Sequence, residues 1–134
     1  MFGWVCRRNA SRERGFTLIE LVVVLAILGI LIALAVPRYL AARKKAYKAE
    51  GDNILQEAKT LEWAYYQQYN TFDSTGAQIG LAMPGGAHWA SPSFSGNSQQ
   101  ITVLMSGSLA PLVGTDSIWI TLSGDGSSGG GGTF

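Results

Sequence analysis

The chain has 134 residues, 47% of them hydrophobic and 14% charged, with a formal net charge of +1 at pH 7. This length suits one domain, and no stretch is basic enough for charge alone to indicate nucleic-acid binding. The single cysteine, Cys6, lies in the basic N-terminal stretch, so a disulfide within the chain is excluded. We therefore expect the downstream domain to be held together by packing and hydrogen bonds.

A basic stretch opens the chain and an apolar segment follows it. Residues 1–15 contain four arginines and one glutamate, and residues 16–36 contain a single charged side chain, Glu20. As a helix, the apolar segment would be about 31 Å long, close to the roughly 30 Å core of a bilayer. A secretory signal has a shorter apolar stretch with a small-residue cleavage site after it. Here the small residue, Gly15, comes before the segment, so we expect the segment to stay in the mature protein.

The position of Glu20 calls for a functional explanation. A carboxylate at membrane depth costs about 2.5–3.5 kcal/mol on insertion scales, so such residues are treated as functional by default. Basic residues flank the apolar segment on both sides, and the positive-inside rule therefore leaves its orientation undecided.

Helical character is predicted to continue beyond the apolar segment, to give one helix from about residue 16 to about residue 69. Gly29 lowers helix propensity by about 1 kcal/mol, and Pro37 should kink or locally loosen the helix because it lacks a backbone N–H. Strong helix formers dominate residues 38–68, and Glu62 and most other charged residues are expected off the buried face. That face is predicted to comprise Ile54, Leu55, Ala58, Leu61, Tyr65, Tyr69 and Phe72.

The last third of the chain reads as loops and short strands. Residues 73–100 are rich in turn formers, and residues 101–105 and 117–122 have the β-branched and aromatic composition of strands. Residues 87–90 form a weaker third candidate, and the glycine-rich tail at 124–132 is expected to be flexible or irregular. The predicted fold class is α+β, with a long N-terminal helix packed against a small antiparallel sheet of about three or four strands.

Catalytic, metal and cofactor sites find little support in the sequence. The single histidine, His88, has no cysteine or carboxylate at metal-ligand spacing, and we expect it to be an ordinary loop or strand residue. Residues 124–129 fit G-x-G-x-x-G, but no helix can open behind that loop as a phosphate site requires, so we interpret them as a turn or tail. Core packing is the favoured interpretation of the aromatic cluster, which comprises Trp63, Tyr65, Tyr66, Tyr69 and Phe72.

The run Arg14-Gly-Phe-Thr-Leu-Ile-Glu20 resembles the processing site of type IV pilins and the related pseudopilins. Gly15 matches the residue before the cut, Phe16 the residue after it, and Glu20 the fifth mature residue. Gly29 and Pro37 match as helix-weakening positions. The specific part of the resemblance covers residues 15–37, and a looser likeness continues along the amphipathic helix.

The resemblance implies a division into a cleaved leader (1–15), a membrane-spanning and filament-core helix (16–36), its amphipathic continuation (37–70) and a globular head (71–134). A prepilin peptidase would cut between Gly15 and Phe16 on the cytoplasmic side of the bacterial inner membrane, and the new amine of Phe16 would be methylated. Subunits would then polymerise into an extracellular filament, with an assembly platform and minor pilins as further partners.

Within that filament, the resemblance assigns Glu20 to pair with the Phe16 amine of a neighbouring subunit and so to set the axial register. Gly29 and Pro37 would give the helix flexibility. Two alternatives stay open: a pseudopilin of a type II secretion system, and a minor pilin at the filament tip that binds DNA or a surface. No enzymatic activity, cofactor or metal is expected.

Overall fold

A computed structural model describes residues 15–133, so all but the last residue of the predicted leader lies outside the described part of the chain. The chain divides into two units, one ending at Pro37 and the other beginning at Arg38. The elements are α1 (Leu18–Tyr69), β1 (Ser93–Asn97), β2 (Gln100–Ser106), β3 (Ser117–Ser123) and β4 (Ser128–Thr133). This arrangement confirms the predicted α+β fold, in which one long N-terminal helix packs against a small antiparallel sheet.

Local chemistry at each end explains why α1 begins and stops where it does. Thr17 occupies the N-cap position, one residue before the first helical residue, and a threonine there can satisfy one of the unpaired N–H groups of the first turn. Asn70 follows the last helical residue with a φ of 55° and donates its backbone N–H to the carbonyl of Tyr66 at 2.8 Å. Asparagine tolerates this left-handed conformation, which commonly ends helices.

The four strands form a meander in the order β1-β2-β3-β4, and each pairs antiparallel with its neighbour in the chain. The predicted strands at 101–105 and 117–122 are confirmed as β2 and β3. The prediction for 87–90 was wrong in extent, because only a single bridge, Trp89 to Gly107, forms there. Strand β1 was missed because its sequence, SFSGN, reads as a turn.

The prediction of a flexible or irregular tail was also wrong. Residues 128–133 form β4, which is in register with β3 from Ser117 opposite Thr133 to Leu122 opposite Ser128. Four consecutive glycines have little strand propensity, so pairing with β3 must hold them extended. The preceding turn, with Gly126 at a φ of 84°, places residues 124–126 in the β3–β4 hairpin rather than in a phosphate loop.

The main core lies between the second half of α1 and the inward face of the sheet. Ile54, Leu55 and Ala58 of the helix are buried against side chains from β2 and β3 in one cluster. Gly51 also lies on this face, where a Cβ would come within 2.6 Å of the indole Nε1 of Trp89. This glycine therefore allows the helix to pack closely against Trp89. The strand residues of the cluster are Val103, Met105, Ile118 and Ile120.

The predicted helix face needs two corrections at its C-terminal end. Glu62, expected off the face, is fully buried, whereas Tyr69, expected on it, is 56% exposed. Glu62 is buried because the loop after the helix folds back over it, and the backbone N–H of Asp73 donates to its Oε2 at 3.1 Å.

The aromatic cluster divides between core and surface. Phe72 is buried with Ile101 and Leu122 in a second core cluster, against which Trp63 and Tyr66 pack. This confirms the interpretation as core for these three aromatic residues. Tyr65 and Tyr69 instead form a tilted pair with ring centroids 4.5 Å apart, and Tyr69 is largely exposed.

Candidate processing and assembly site

Three of the residues singled out by the sequence, Gly15, Phe16 and Glu20, lie at the N-terminal end of α1. Gly15 and Phe16 precede the helix in non-helical backbone, and both are exposed. Phe16 has 81% of its surface accessible. Exposed, irregular backbone is where proteases act most readily, so the peptide bond between Gly15 and Phe16 is accessible to cleavage.

Thr17 and Glu20 form a reciprocal capping box at the start of α1. The Glu20 N–H donates to Thr17 Oγ1 at 3.3 Å, and the Thr17 N–H donates to Glu20 Oε2 at 3.0 Å. The Thr17 hydroxyl donates to the same carboxylate oxygen at 2.8 Å. Such a box satisfies two unpaired donors of the helix terminus at once. The sequence reasoning missed Thr17, although the pattern T-x-x-E before an apolar run is the signal for this cap.

The capping box leaves one oxygen of Glu20 available. Within residues 15–133, only Oε2 of this carboxylate accepts hydrogen bonds, whereas Oε1 accepts none. A carboxylate can accept several hydrogen bonds, and those from ionised donors are the strongest. Glu20 is therefore fixed in place by its own chain while it can still bind a cationic group from another molecule.

The first part of α1 exposes a continuous apolar surface. None of the residues from 16 to 36 is buried, and the helix is long and apolar enough by composition to cross a membrane. Monomeric soluble proteins rarely expose apolar patches of more than a few hundred Å². This surface therefore needs lipid or other protein to cover it.

Gly29 and Pro37 both lie inside α1, which is continuous through them. A Cβ added to Gly29 would meet no atom within 4 Å. Packing within the subunit therefore does not require this glycine, unlike Gly51. The role of Gly29 and Pro37 in helix flexibility stays a prediction.

His88 acquires partners that local spacing could not reveal. Its ring stacks on Tyr47 with centroids 3.6 Å apart, its Nδ1 lies 3.4 Å from Glu50 Oε2, and its backbone N–H donates to Glu50 Oε1 at 3.0 Å. These contacts attach the loop before β1 to the helix. No group of three or more potential ligands among residues 15–133 could hold a metal ion.

An exposed apolar helix joined to an α+β head is the arrangement that the resemblance to the class of type IV pilin-like proteins implies. Consistent with this class, the family model described as the prokaryotic N-terminal methylation motif matches residues 10–36. The matched range includes Gly15, Phe16, Glu20 and Gly29 and ends one residue before Pro37.

Curated relatives point to the same class. The chain is 33% identical over 75 residues to the type IV major pilin protein PilA of Myxococcus xanthus, a match that covers 56% of this chain and 34% of the relative. It is 40% identical over 72 residues to the type IV wide pilus major component PilA4 of Thermus thermophilus, covering 54% and 53%. It is 35% identical over 72 residues to PilE1 of Neisseria gonorrhoeae, a type IV major pilin, covering 54% and 44%.

These matches confirm the resemblance to type IV pilins. The chain spans between about a third and about half of the length of these relatives.

Proposed function

We propose that this chain is the structural subunit of a type IV pilus, cleaved between Gly15 and Phe16 and methylated on the new amine of Phe16. The observation that carries the proposal is the wholly exposed apolar part of α1, which begins with the Thr17–Glu20 cap and continues into the helix of an α+β head. The methylation motif and the relatives named as major pilins support it.

The apolar surface has two successive environments in this proposal. Before assembly, residues 16–36 span a bilayer, with the leader inside and the head outside, and the membrane is the bacterial inner membrane. After assembly, the same surface packs against the helices of neighbouring subunits in the core of an extracellular filament. A prepilin peptidase, an assembly platform and minor pilins are the further partners that this route requires.

Glu20 sets the register between subunits. Burial of a lone carboxylate in a dry core is costly unless the group is paired and hydrogen-bonded, and the capping box already provides two hydrogen bonds. The remaining oxygen, Oε1, binds the Phe16 amine of a neighbour. Apolar packing alone would leave the axial position loose, whereas one buried polar pair fixes it, which is the best-attested use of such groups.

Gly29 and Pro37 provide flexibility during the transfer. The helix between them unwinds locally when the subunit leaves the bilayer, and the freed backbone groups find partners in the protein-lined filament core. Because a Cβ at position 29 meets open space in the single subunit, Gly29→Ala should leave the subunit intact and make the filament less extensible under force.

A major subunit is favoured over the alternatives of a type II secretion pseudopilin and a minor tip pilin. The relatives reported above are named as major pilins or a major pilus component. Abundance separates the cases, because a major subunit dominates sheared surface filaments and a tip protein is scarce in them. Nucleic acid is a further candidate ligand only for the tip pilin.

The test is mass spectrometry and imaging of sheared filaments from cells expressing the full chain. The bulk component should begin at a methylated Phe16. Glu20→Ala should give stable, membrane-inserted protein with few filaments, whereas the matched control Glu57→Ala, at an exposed glutamate of the same helix, should assemble normally. Normal filament yield from Glu20→Ala would refute the register role, and filaments that lack this chain would refute the proposed function.

A further inference from the structure

Both outer strands of the sheet have open, uncharged edges. No Asp, Glu, Lys or Arg occurs in β1, β2, β3 or β4. All residues of β4 and all but Phe94 of β1 are exposed. Among residues 15–133, no loop backbone forms a hydrogen bond with the edge of β1 that faces away from β2, or with the edge of β4 that faces away from β3. Edge strands are commonly protected by lysine, proline or a bulge because their unpaired N–H and C=O groups can bind another strand.

The number of strands determines how two such edges would meet. In a four-stranded antiparallel meander, β1 and β4 run in opposite directions. If two copies lie side by side and point the same way, β4 of one copy is therefore antiparallel to β1 of the next. The contact between the two copies then continues the antiparallel strand order found inside each sheet. We propose that β4 of one subunit pairs with β1 of a neighbouring subunit in the filament, an interface that rests on the proposed function.

The faces of the two strands fix the register of this pairing. On β1, Ser93, Ser95 and Asn97 share the outer face of the sheet, because they lie opposite the outward residues of β2. On β4, Gly129, Gly131 and Thr133 share the same face, because they lie opposite the outward residues of β3. In the proposed pairing, residues on the outer face of β1 should lie opposite residues on the outer face of β4 along all five residues of β1. This condition places Ser93 opposite Thr133, Ser95 opposite Gly131 and Asn97 opposite Gly129.

The composition of β4 suits a strand that receives a partner. Its ends are anchored within the subunit: Lys59 Nζ donates to Ser128 Oγ at 2.8 Å, and Thr133 Oγ1 donates to the Thr115 carbonyl at 3.0 Å. Between these anchors the strand has only glycines, so no side chain hinders the approach of another backbone. Backbone hydrogen bonds supply the affinity in strand addition of this kind.

A second copy is the partner that fits both edges. Joining β4 to β1 is a heterologous contact, which generates an open helical assembly when it does not close into a ring. Pairing β4 with β4 would require a two-fold axis, and such an axis is absent from a filament whose subunits all point the same way. An uncharged glycine edge facing an uncharged edge of serine, phenylalanine and asparagine also brings no like charges together.

Cysteine cross-linking in assembled filaments tests the interface. The only native cysteine is Cys6, and a Cys6→Ser background removes it. The double variant carries Ser95→Cys, at an exposed position, and Gly129→Cys, where a Cβ meets nothing within 4 Å. Diagonal neighbours on paired antiparallel strands lie roughly 7–8 Å apart, so a short bismaleimide of similar reach should connect them. The matched control combines Ser95→Cys with Gln68→Cys, at an exposed position on the helix.

The double variant should give a ladder of dimers, trimers and higher multimers on a denaturing gel, whereas each single variant and the matched control should stay monomeric. Intact filaments with reactive cysteines but no ladder would overturn the edge pairing and leave the filament function standing. Dimers from Gly129→Cys alone would overturn it in favour of a two-fold contact. An equal ladder from the control would overturn it as well, because the two strand edges would then react no more readily than an unrelated pair of positions. Absence of filaments from the unmodified chain would count against the proposed function instead.

Discussion

Replacement of the buried Glu62 by glutamine should make the protein more stable at neutral and alkaline pH. Glu62 is fully buried, and its only hydrogen bond among residues 15–133 is the one that Oε2 accepts from the Asp73 N–H, whereas Oε1 has no partner. Burial raises the pKa of Glu62 to about 7, an effect that the hydrogen bond from Asp73 opposes and the nearby Asp73 charge reinforces.

The sign of the pH dependence follows from this raised pKa. Between the ordinary pKa of 4.5 and the folded value of about 7, the folded protein holds a proton that the unfolded chain has lost. The free energy of unfolding therefore falls as pH rises through this range. One pKa unit corresponds to about 1.4 kcal/mol, so ionised Glu62 should cost about 2–3 kcal/mol at pH 8 relative to pH 4.5.

Glutamine keeps an acceptor for the Asp73 N–H and removes the charge. Glu62→Gln should therefore raise the free energy of unfolding at pH 8 by about 2–3 kcal/mol and change it little at pH 4.5. The assay is urea denaturation of the full chain in detergent, followed by tryptophan fluorescence from pH 4.5 to pH 8. Asp116 and Asp125 will not confuse this window, since hydrogen bonds from Lys44 and Ser127 respectively hold their pKa values below the usual range.

Glu57→Gln is the matched control, because Glu57 is an exposed carboxylate on the same helix. It should leave the pH dependence unchanged. The reasoning would be refuted if Glu62→Gln kept the wild-type slope between pH 5 and pH 8, or destabilised the protein equally at both ends of the range.

Three further predictions concern packing, an ion pair and the helix cap. Gly51→Ala should lower the free energy of unfolding by about 1–3 kcal/mol through overpacking. Gly29→Ala should not destabilise the subunit, because a Cβ at position 29 meets no atom within 4 Å. Urea denaturation of the two variants would show this difference. Asp116→Ala removes a 2.9 Å ion pair with Lys44 and should lower the free energy of unfolding at pH 7. This cost should shrink as the pH falls through the folded pKa of Asp116, which hydrogen bonds from Lys44 and Val113 hold below its usual range. A cost that does not change with pH would contradict the ionic interpretation. Thr17→Ala should speed hydrogen exchange of the first helical turn in detergent by roughly 2- to 30-fold, equivalent to the loss of an N-cap, while Thr17→Ser should preserve the wild-type rate.

The helical half of the fold could be predicted because its signals are local. Composition and the helical spacing of apolar residues predict a helix to within two residues of its observed ends. The pattern T-x-x-E at Thr17 and Glu20 is also readable in the sequence as a capping box. The two central strands were also predictable, since β-branched and aromatic residues fill them. By contrast, β1 and β4 consist of small residues whose extended conformation comes from pairing with β2 and β3, and pairing partners are not visible in local sequence.

The candidate site shows the same division. Gly15, Phe16 and Glu20 could be singled out from a short motif because their positions along the chain carry the information. The availability of Glu20 Oε1 could not be predicted from the sequence, because it depends on which carboxylate oxygen accepts the hydrogen bonds of the cap.

The sequence by itself determined the resemblance to type IV pilins, since the apolar segment with its one acidic residue and the preceding Gly15 is encoded within some twenty consecutive positions. Tertiary structure alone decided the roles of Gly51, Glu62 and the glycine run of β4. Gly51 is small because Trp89 packs on it, Glu62 is buried because a loop closes over it, and the glycines are a strand because β3 pairs with them. Each of these properties arises from contacts with residues distant in the chain, which helical period and composition do not record.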